Sequence, residues 1–158
     1  MLEPAAALAP QTAGAYRIEP AQPDRITALS PFDANGLPPP GKAETRPGGV
    51  LLWAGHGLWL ATGTAPALTP ATDATDAWVV LRLSGPAPDA VLARLTPIDL
   101  RPLHFRPGQV ARSLVGHIAA LLHRPEAAPE VLEIWLPRSM AAHAEGEIAE
   151  AARALAAR

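Results

Sequence analysis

Nineteen prolines in a chain of 158 residues set the tightest limit on what this sequence can fold into. A proline ring fixes φ and removes a backbone donor, so it breaks helix interiors and central strands but is tolerated in first helical turns, sheet edges and loops. The prolines gather in the first half of the chain and at turns, which confines any long uninterrupted helix to the C-terminal end. Residues 1–48 are also rich in Ala and Gly, and only Ala15–Ile18 and Arg25–Leu29 look strand-like there. The run Asn35-Gly36-Leu37-Pro38-Pro39-Pro40-Gly41 joins turn residues to a polyproline stretch and reads as a stiff surface connector. Residues 1–48 are therefore expected to form a proline-rich N-terminal arm. Residues 49–158 are expected to form a single domain, because the whole length suits one domain of roughly 100–200 residues.

The composition, 49% hydrophobic and 18% charged with a mean hydropathy of +0.11, is too apolar for a disordered chain. The net charge of −2 offers no strong field for phosphate backbones or anionic lipids, so nucleic acid and membrane surfaces are not expected partners. The chain has no cysteine, which excludes disulfides, thiolate metal sites and cysteine nucleophiles. The opening MLEPAAALAP has neither a basic n-region nor a long apolar h-region, and no run of 18 apolar residues occurs, so a cytoplasmic protein is expected.

From Val50 onward the pattern is more regular. Val50–Ala54 and Leu58–Thr62 are short apolar runs joined by Gly55-His56-Gly57, a link suited to a hairpin, with Trp53 and Trp59 on its flanks. Residues 64–76 are rich in Pro, Thr and Ala, with room for one weak helical turn. In Ala77–Leu83, Val79, Leu81 and Leu83 share one face, which predicts a strand. A helix is expected next, with Ser84 or Gly85 as its cap, Pro86 or Pro88 in its first turn and Val91, Leu92 and Leu95 buried. The apolar run from Gln109 to His123 fits helix and strand alike. Gly116 would cost a helix interior about 1 kcal/mol, so a strand is expected there. Val131–Leu136 alternates as a further strand, and Ser139 is positioned to cap an Ala-rich helix running to about Ala157 with Met140, Ala144, Ile148, Ala152 and Leu155 on one stripe. The second half thus reads β-α-β-β-α, an α+β arrangement like a ferredoxin-type split unit with the tryptophan hairpin added at its N-terminal side.

No constellation for catalysis, cofactor binding or metal ligation emerges from the spacing. His117 and His123 would stand about 20 Å apart on one strand, too far to share an ion. Ser139 lies in Pro-Arg-Ser-Met without the glycines of a nucleophile elbow, so a hydrolase built on it is the weakest reading. Asp73 and Asp76 sit in a Thr-rich loop, and Gly55-His56-Gly57 lacks the spacing of a phosphate loop. Arg138, beside a helix start, suits a carboxylate or an interface. Trp53, Trp59, Trp78 and Trp135 suit core and subunit contacts, or else a surface on which a pterin could stack. Trp53, Trp59 and Arg138 are accordingly the candidate subunit-interface residues, and an apolar patch around them would also permit a homo-oligomer of the isolated chain.

Four segments, in order, resemble the gamma subunit of heterotetrameric sarcosine oxidase. They are Leu51-Leu52-Trp53-Ala54-Gly55-His56-Gly57-Leu58-Trp59-Leu60; Thr72–Asp76 through Arg82-Leu83-Ser84-Gly85-Pro86; Leu95–Leu100 with Phe105-Arg106-Pro107-Gly108; and Val131 through Leu136-Pro137-Arg138-Ser139. His56 stands where the family usually has proline, and Met140 where it usually has an aromatic residue, which suits a divergent paralogue.

The resemblance implies a fold like part of the folate-binding domain of aminomethyltransferases. It also implies a non-catalytic accessory role, with FAD, FMN, NAD and tetrahydrofolate held by larger partner subunits and none by this chain. The assembly would oxidatively demethylate sarcosine to glycine, and the one-carbon unit would pass to tetrahydrofolate. A stand-alone module binding folate or another one-carbon carrier is the alternative that the same fold and the four tryptophans allow.

Overall fold

Strands dominate, because the proline-punctuated sequence offers many short apolar runs and only one stretch long enough for a full helix. The computed structural model describes residues 8–157. Its strands are β1 (Gln11–Ala13), β2 (Tyr16–Pro20), β3 (Ile26–Leu29), β4 (Ala43–Arg46), β5 (Gly49–Gly55), β6 (Leu58–Thr62), β7 (Ala71–Asp73), β8 (Trp78–Ser84), β9 (Val110–Val115), β10 (Ile118–His123) and β11 (Leu132–Pro137). Two helices, α1 (Pro88–Leu92) and α2 (Ala141–Ala156), complete the α+β architecture. One six-stranded sheet has the order β1-β2-β8-β11-β10-β9, and a five-stranded sheet has the order β4-β5-β6-β3-β7. Neighbouring strands are antiparallel throughout.

Alternation along the strands sorts the side chains into layers. On one face of the six-stranded sheet, Ile18, Leu81, Leu83, Leu122, Ile134 and Leu136 pack against the helices, where Val91, Leu92, Ala144, Ile148 and Ala152 are buried. Each large aliphatic side chain fully withdrawn from water contributes about 1.5–3 kcal/mol, so this layer is the main source of stability. The alanines of α2 let the helix lie close to the sheet. On the opposite face, Val80, Leu121 and Trp135 meet Ile26, Leu52 and Leu60 of the five-stranded sheet. A smaller cluster on the outer side of that second sheet gathers Leu29, Leu51, Trp59 and Ala61 beneath Leu37 and Leu68 from flanking loops.

Several expectations change. Residues 11–46 supply β1 and β2 to one sheet and β3 and β4 to the other, so this region is integral to both sheets rather than a peripheral arm. Its strands are three to five residues long, too short for periodicity to show beside so many prolines. The connector at 35–41 is tied down, since Trp59 Nε1 donates to the Pro38 carbonyl at 2.9 Å.

The run from Gln109 to His123 is a hairpin and not one strand: Val115 pairs with Ile118 across Gly116-His117. Gly116 has φ +59°, as a glycine at the first central position of a two-residue hairpin turn requires. The second half therefore runs β-α-β-β-β-α. The region 64–76 holds the short strand β7 in place of a helical turn.

The expected caps are not used. Ser84 ends β8, α1 begins with Pro88 after Ala87, and Ser139 lies in a 3₁₀ turn (Arg138–Met140) ahead of α2, with no side-chain cap hydrogen bond at any of these helix starts. Gly85 instead lets the chain pass Tyr16, whose ring would lie 2.5 Å from an added Cβ. No described helix is long and apolar enough to cross a membrane.

Candidate functional site

Three adjacent strands place a row of polar side chains on the face between the two sheets. Glu133 of β11 is paired in register with Arg82 of β8 on one side and with His123 of β10 on the other. Neighbouring strands lie about 4.8 Å apart, so the outer two residues are separated by about 10 Å across the sheet and both reach inward to the carboxylate between them. Glu19 of β2, opposite Arg82, continues the row toward the edge and accepts from Arg17 Nε at 2.8 Å.

The Glu133 carboxylate is fully engaged. Its Oε1 accepts from Arg82 Nε at 3.0 Å and Nη2 at 2.9 Å, while its Oε2 accepts from His123 Nδ1 at 2.9 Å and from Trp135 Nε1 at 3.4 Å. Burial pushes the Glu133 acid group up, but the hydrogen bond and charge of His123, followed by those of Arg82, outweigh it and hold the pKa below its ordinary value. An ionised carboxylate only accepts, so Nδ1 of His123 carries the proton in this contact. Its Nε2 has no hydrogen-bond partner among the described residues. Glu133 and His123 are both buried, whereas the Arg82 side chain is 44% exposed. Two buried ionisable groups in an otherwise apolar layer stabilise little beyond their own desolvation cost.

This row forms one wall of a cavity of about 240 Å³ at the open end of the sandwich. Val80, Arg82, His123, Glu133 and Trp135 come from the six-stranded sheet, and Thr45, Gly49, Val50 and Thr62 face them from the other. Ala21, Pro23 and Pro125–Ala127 rim the entrance, where Thr45 Oγ1 donates to Glu126 Oε2 at 3.1 Å. Such a space can bind a small molecule through an apolar wall and a few convergent polar groups.

The interface candidates chosen from sequence lie elsewhere. Trp53 and Trp59 are directly opposed on β5 and β6, Trp59 being buried and Trp53 half-buried. Arg138 donates through Nε to the Asp76 carbonyl at 2.9 Å and through Nη2 to those of Thr75 and Trp78 at 3.2 Å, fastening the start of β8 to the end of β11. It also lines a groove of about 770 Å³ along α2, with Gln22, Val79 and Glu145.

Of the other residues weighed, His117 sits at the hairpin tip and His123 at the far end of β10, so the two remain apart. Asp73 is bonded by Thr75 Oγ1 at 2.6 Å in a local turn. Trp135 lies buried between the sheets and lines the cavity there. No group of three side chains among the described residues is placed to hold a metal.

Sequence reasoning missed the Arg82–Glu133–His123 row. Its only signal was a charged or ionisable residue on the otherwise apolar run of each of three strands, which becomes a cluster only once the register is known.

No family model matches the chain, and no curated protein matches it in sequence. Among solved structures, its fold is similar to a chain of heterotetrameric sarcosine oxidase from Corynebacterium sp. U-96, a structure in complex with pyrrole 2-carboxylate. The TM-score is 0.76 at 22% identity, over 94% of this chain and 89% of that one. At this identity the likeness establishes the fold.

Proposed function

We propose that this chain is a gamma-type, non-catalytic accessory subunit of a sarcosine-oxidase-like complex, acting in the cytoplasm in the oxidative demethylation of sarcosine to glycine with tetrahydrofolate. The carrying observation is a likeness of fold that is coextensive in both directions, 94% of this chain against 89% of a chain of a heterotetrameric sarcosine oxidase. A shared module inside unrelated proteins would leave more of either chain unmatched. The four ordered segments that resemble the gamma family, from Leu51 to Ser139, support the same reading from sequence.

In this reading FAD, FMN, NAD and tetrahydrofolate are held by the larger subunits. The stretch from β8 to α2 is related to part of the folate-binding domain of aminomethyltransferases, its strands lying in the order β8-β11-β10-β9 rather than in that of a ferredoxin-like split unit. Its partners dock where apolar side chains reach solvent. Trp53 is half-buried at the five-stranded sheet, and Phe32 and Leu103 are exposed in loops. A homo-oligomer of the isolated chain would use the same surface. The alternative, a free-standing folate-binding module, is less well supported, because Trp59 is buried and Trp135 is packed between the sheets with its indole N–H on Glu133.

The test is to purify the tagged chain from cells that also express the larger sarcosine-oxidase-type subunits. Stoichiometric recovery of those subunits, with visible flavin absorbance in the eluate, is expected. Recovery of this chain by itself, with the larger subunits assembled in the unbound fraction, would refute the proposal. Saturable quenching of the isolated chain by tetrahydrofolate would favour the alternative.

A further inference from the structure

We infer that the uncovered end of the six-stranded sheet is a docking strip for a segment of a larger subunit, one that carries apolar side chains with a carboxylate at one end. The strip presupposes the proposed place of the chain in an oxidase-type complex and is the surface that meets the partner there.

The strand registers define the strip. On the face turned toward the five-stranded sheet, Arg112, Leu121, Trp135 and Val80 form one row across β9, β10, β11 and β8. Two residues further along each strand, on the side away from the Arg82–Glu133–His123 row, stand Leu114, Ala119, Pro137 and Trp78. Leu114 is opposite Ala119, and Pro137 is opposite Trp78. Strand side chains alternate, so this outer row shares the face of the first. The five-stranded sheet stops short of it. Its strand β5 ends at Gly55 against the Arg112 side chain, where an added Cβ would lie 2.6 Å from Nη1. Leu114 is accordingly 45% exposed and Ala119 is exposed, while Trp78 and Pro137 are half-buried.

Four strands spaced by about 4.8 Å make this an apolar row roughly 15 Å long. Contiguous apolar surface of this kind marks a partner site, and tryptophan is enriched among the side chains that dominate interface energy. A pair of strips from two copies would offer each other only four side chains, two of them half-buried, well short of the roughly 800 Å² per partner of a standard interface. A larger subunit can cover the strip with one segment and hold the chain elsewhere as well.

Charge then selects the segment. Arg112 flanks the strip on β9, is exposed, and has no ion pair or hydrogen-bond partner among the described residues. His56 and His117 are exposed beside Gly55 and at the hairpin tip, and neither brings negative charge in any protonation state. Glu147 packs against Gly116 from the helix side of the sheet and faces His143 Nε2 at 3.5 Å. At the Trp78 end, Arg138 holds the Asp76 carbonyl, so a cation and an acidic residue stand together there. The unmatched charge is therefore the Arg112 guanidinium, whose planar fork suits a carboxylate.

The test exploits the absence of cysteine from the chain. Ala119→Cys puts a single thiol in the middle of the strip, and its reaction with a maleimide is read from the mass of this chain. The thiol should react readily in the isolated full-length chain, and about tenfold or more slowly once the chain is assembled with the larger sarcosine-oxidase-type subunits, because interface cores exclude water. Arg112→Glu should weaken assembly by about tenfold or more through like-charge contact, whereas Arg112→Lys should stay within a few-fold of the parent. Both positions are exposed, so circular dichroism of the isolated variants should match the parent. Unslowed labelling in a complex of full mass, or undiminished assembly of Arg112→Glu, overturns the docking strip and leaves the proposed function standing. Protection already present in the isolated chain at twice its native mass overturns it in favour of a second copy. Failure of the parent chain to join the larger subunits removes the proposed function and the strip together.

Discussion

At the scale of single residues, Glu133 and Arg124 show how one side chain can hold several strands or loops. Glu133 accepts from three side chains, two of them on neighbouring strands, so removing its charge leaves Arg82 and His123 facing an uncompensated buried space. Glu133→Gln should destabilise the fold by about 3 kcal/mol, the lower end expected for a broken buried pair because Arg82 is partly solvated. The folded-state pKa of Glu133 is depressed from its ordinary value of 4.5, so its contribution is fully present above that pH. It is lost as pH falls through the folded value. Chemical denaturation between pH 3 and pH 7 should accordingly show a shallower acid-side loss in Glu133→Gln than in the parent. The slope should not vanish, because Asp73 and Asp99 are held below their ordinary values by hydrogen bonds from Thr75 and Arg101 respectively.

Arg124, which no sequence motif marks, is buried and donates to the carbonyls of Phe105 and Leu100 at 2.7 Å and of Pro129 at 2.6 Å. Arg124→Met keeps much of the volume but strands these carbonyls. It should cost about 3 kcal/mol in urea unfolding, since each buried group left unsatisfied costs about 1–3 kcal/mol.

At the scale of elements, what could be read from sequence tracks the length of the apolar pattern. Trp78–Leu83 and Val131–Leu136 alternate over six residues each, and β8 and β11 lie there in the centre of the six-stranded sheet. The hairpin at Gly55-His56-Gly57 was equally legible, because two apolar runs flank a turn. In the run from Gln109 to His123, Gly116 argues against a helix interior and equally suits the turn of a hairpin, which is where the chain uses it. Gly116→Ala should cost 1 kcal/mol or more: φ is +59°, where a side chain is strained, and its Cβ would collide with the Glu147 carboxylate. Thermal unfolding of the two proteins side by side measures this. Ser139 supplies the opposite case. A capping serine would lose about 1 kcal/mol on truncation to alanine, but Ser139 makes no cap bond, so Ser139→Ala should stay within about 0.5 kcal/mol of the parent.

At the scale of the whole molecule, the α+β class was visible in the sequence, while the joining of the two sheets was not. Pairings such as β2 with β8 and β3 with β6 link residues far apart in the chain, and strands of four or five residues carry no local signal of their distant partners. The same limit hid the polar row, whose members are 51 and 10 positions apart for the Arg82–Glu133 and His123–Glu133 contacts.

As proposed, the chain is a small subunit lying against larger ones. The most direct measurement reconstitutes the larger sarcosine-oxidase-type subunits with and without this chain, and follows both native mass and sarcosine-dependent peroxide formation. An added mass equal to this chain, together with peroxide formation that survives Glu133→Gln and Ser139→Ala in any variant that still assembles, is the predicted result. Larger subunits that reach full mass and full activity while this chain stays unbound would contradict it.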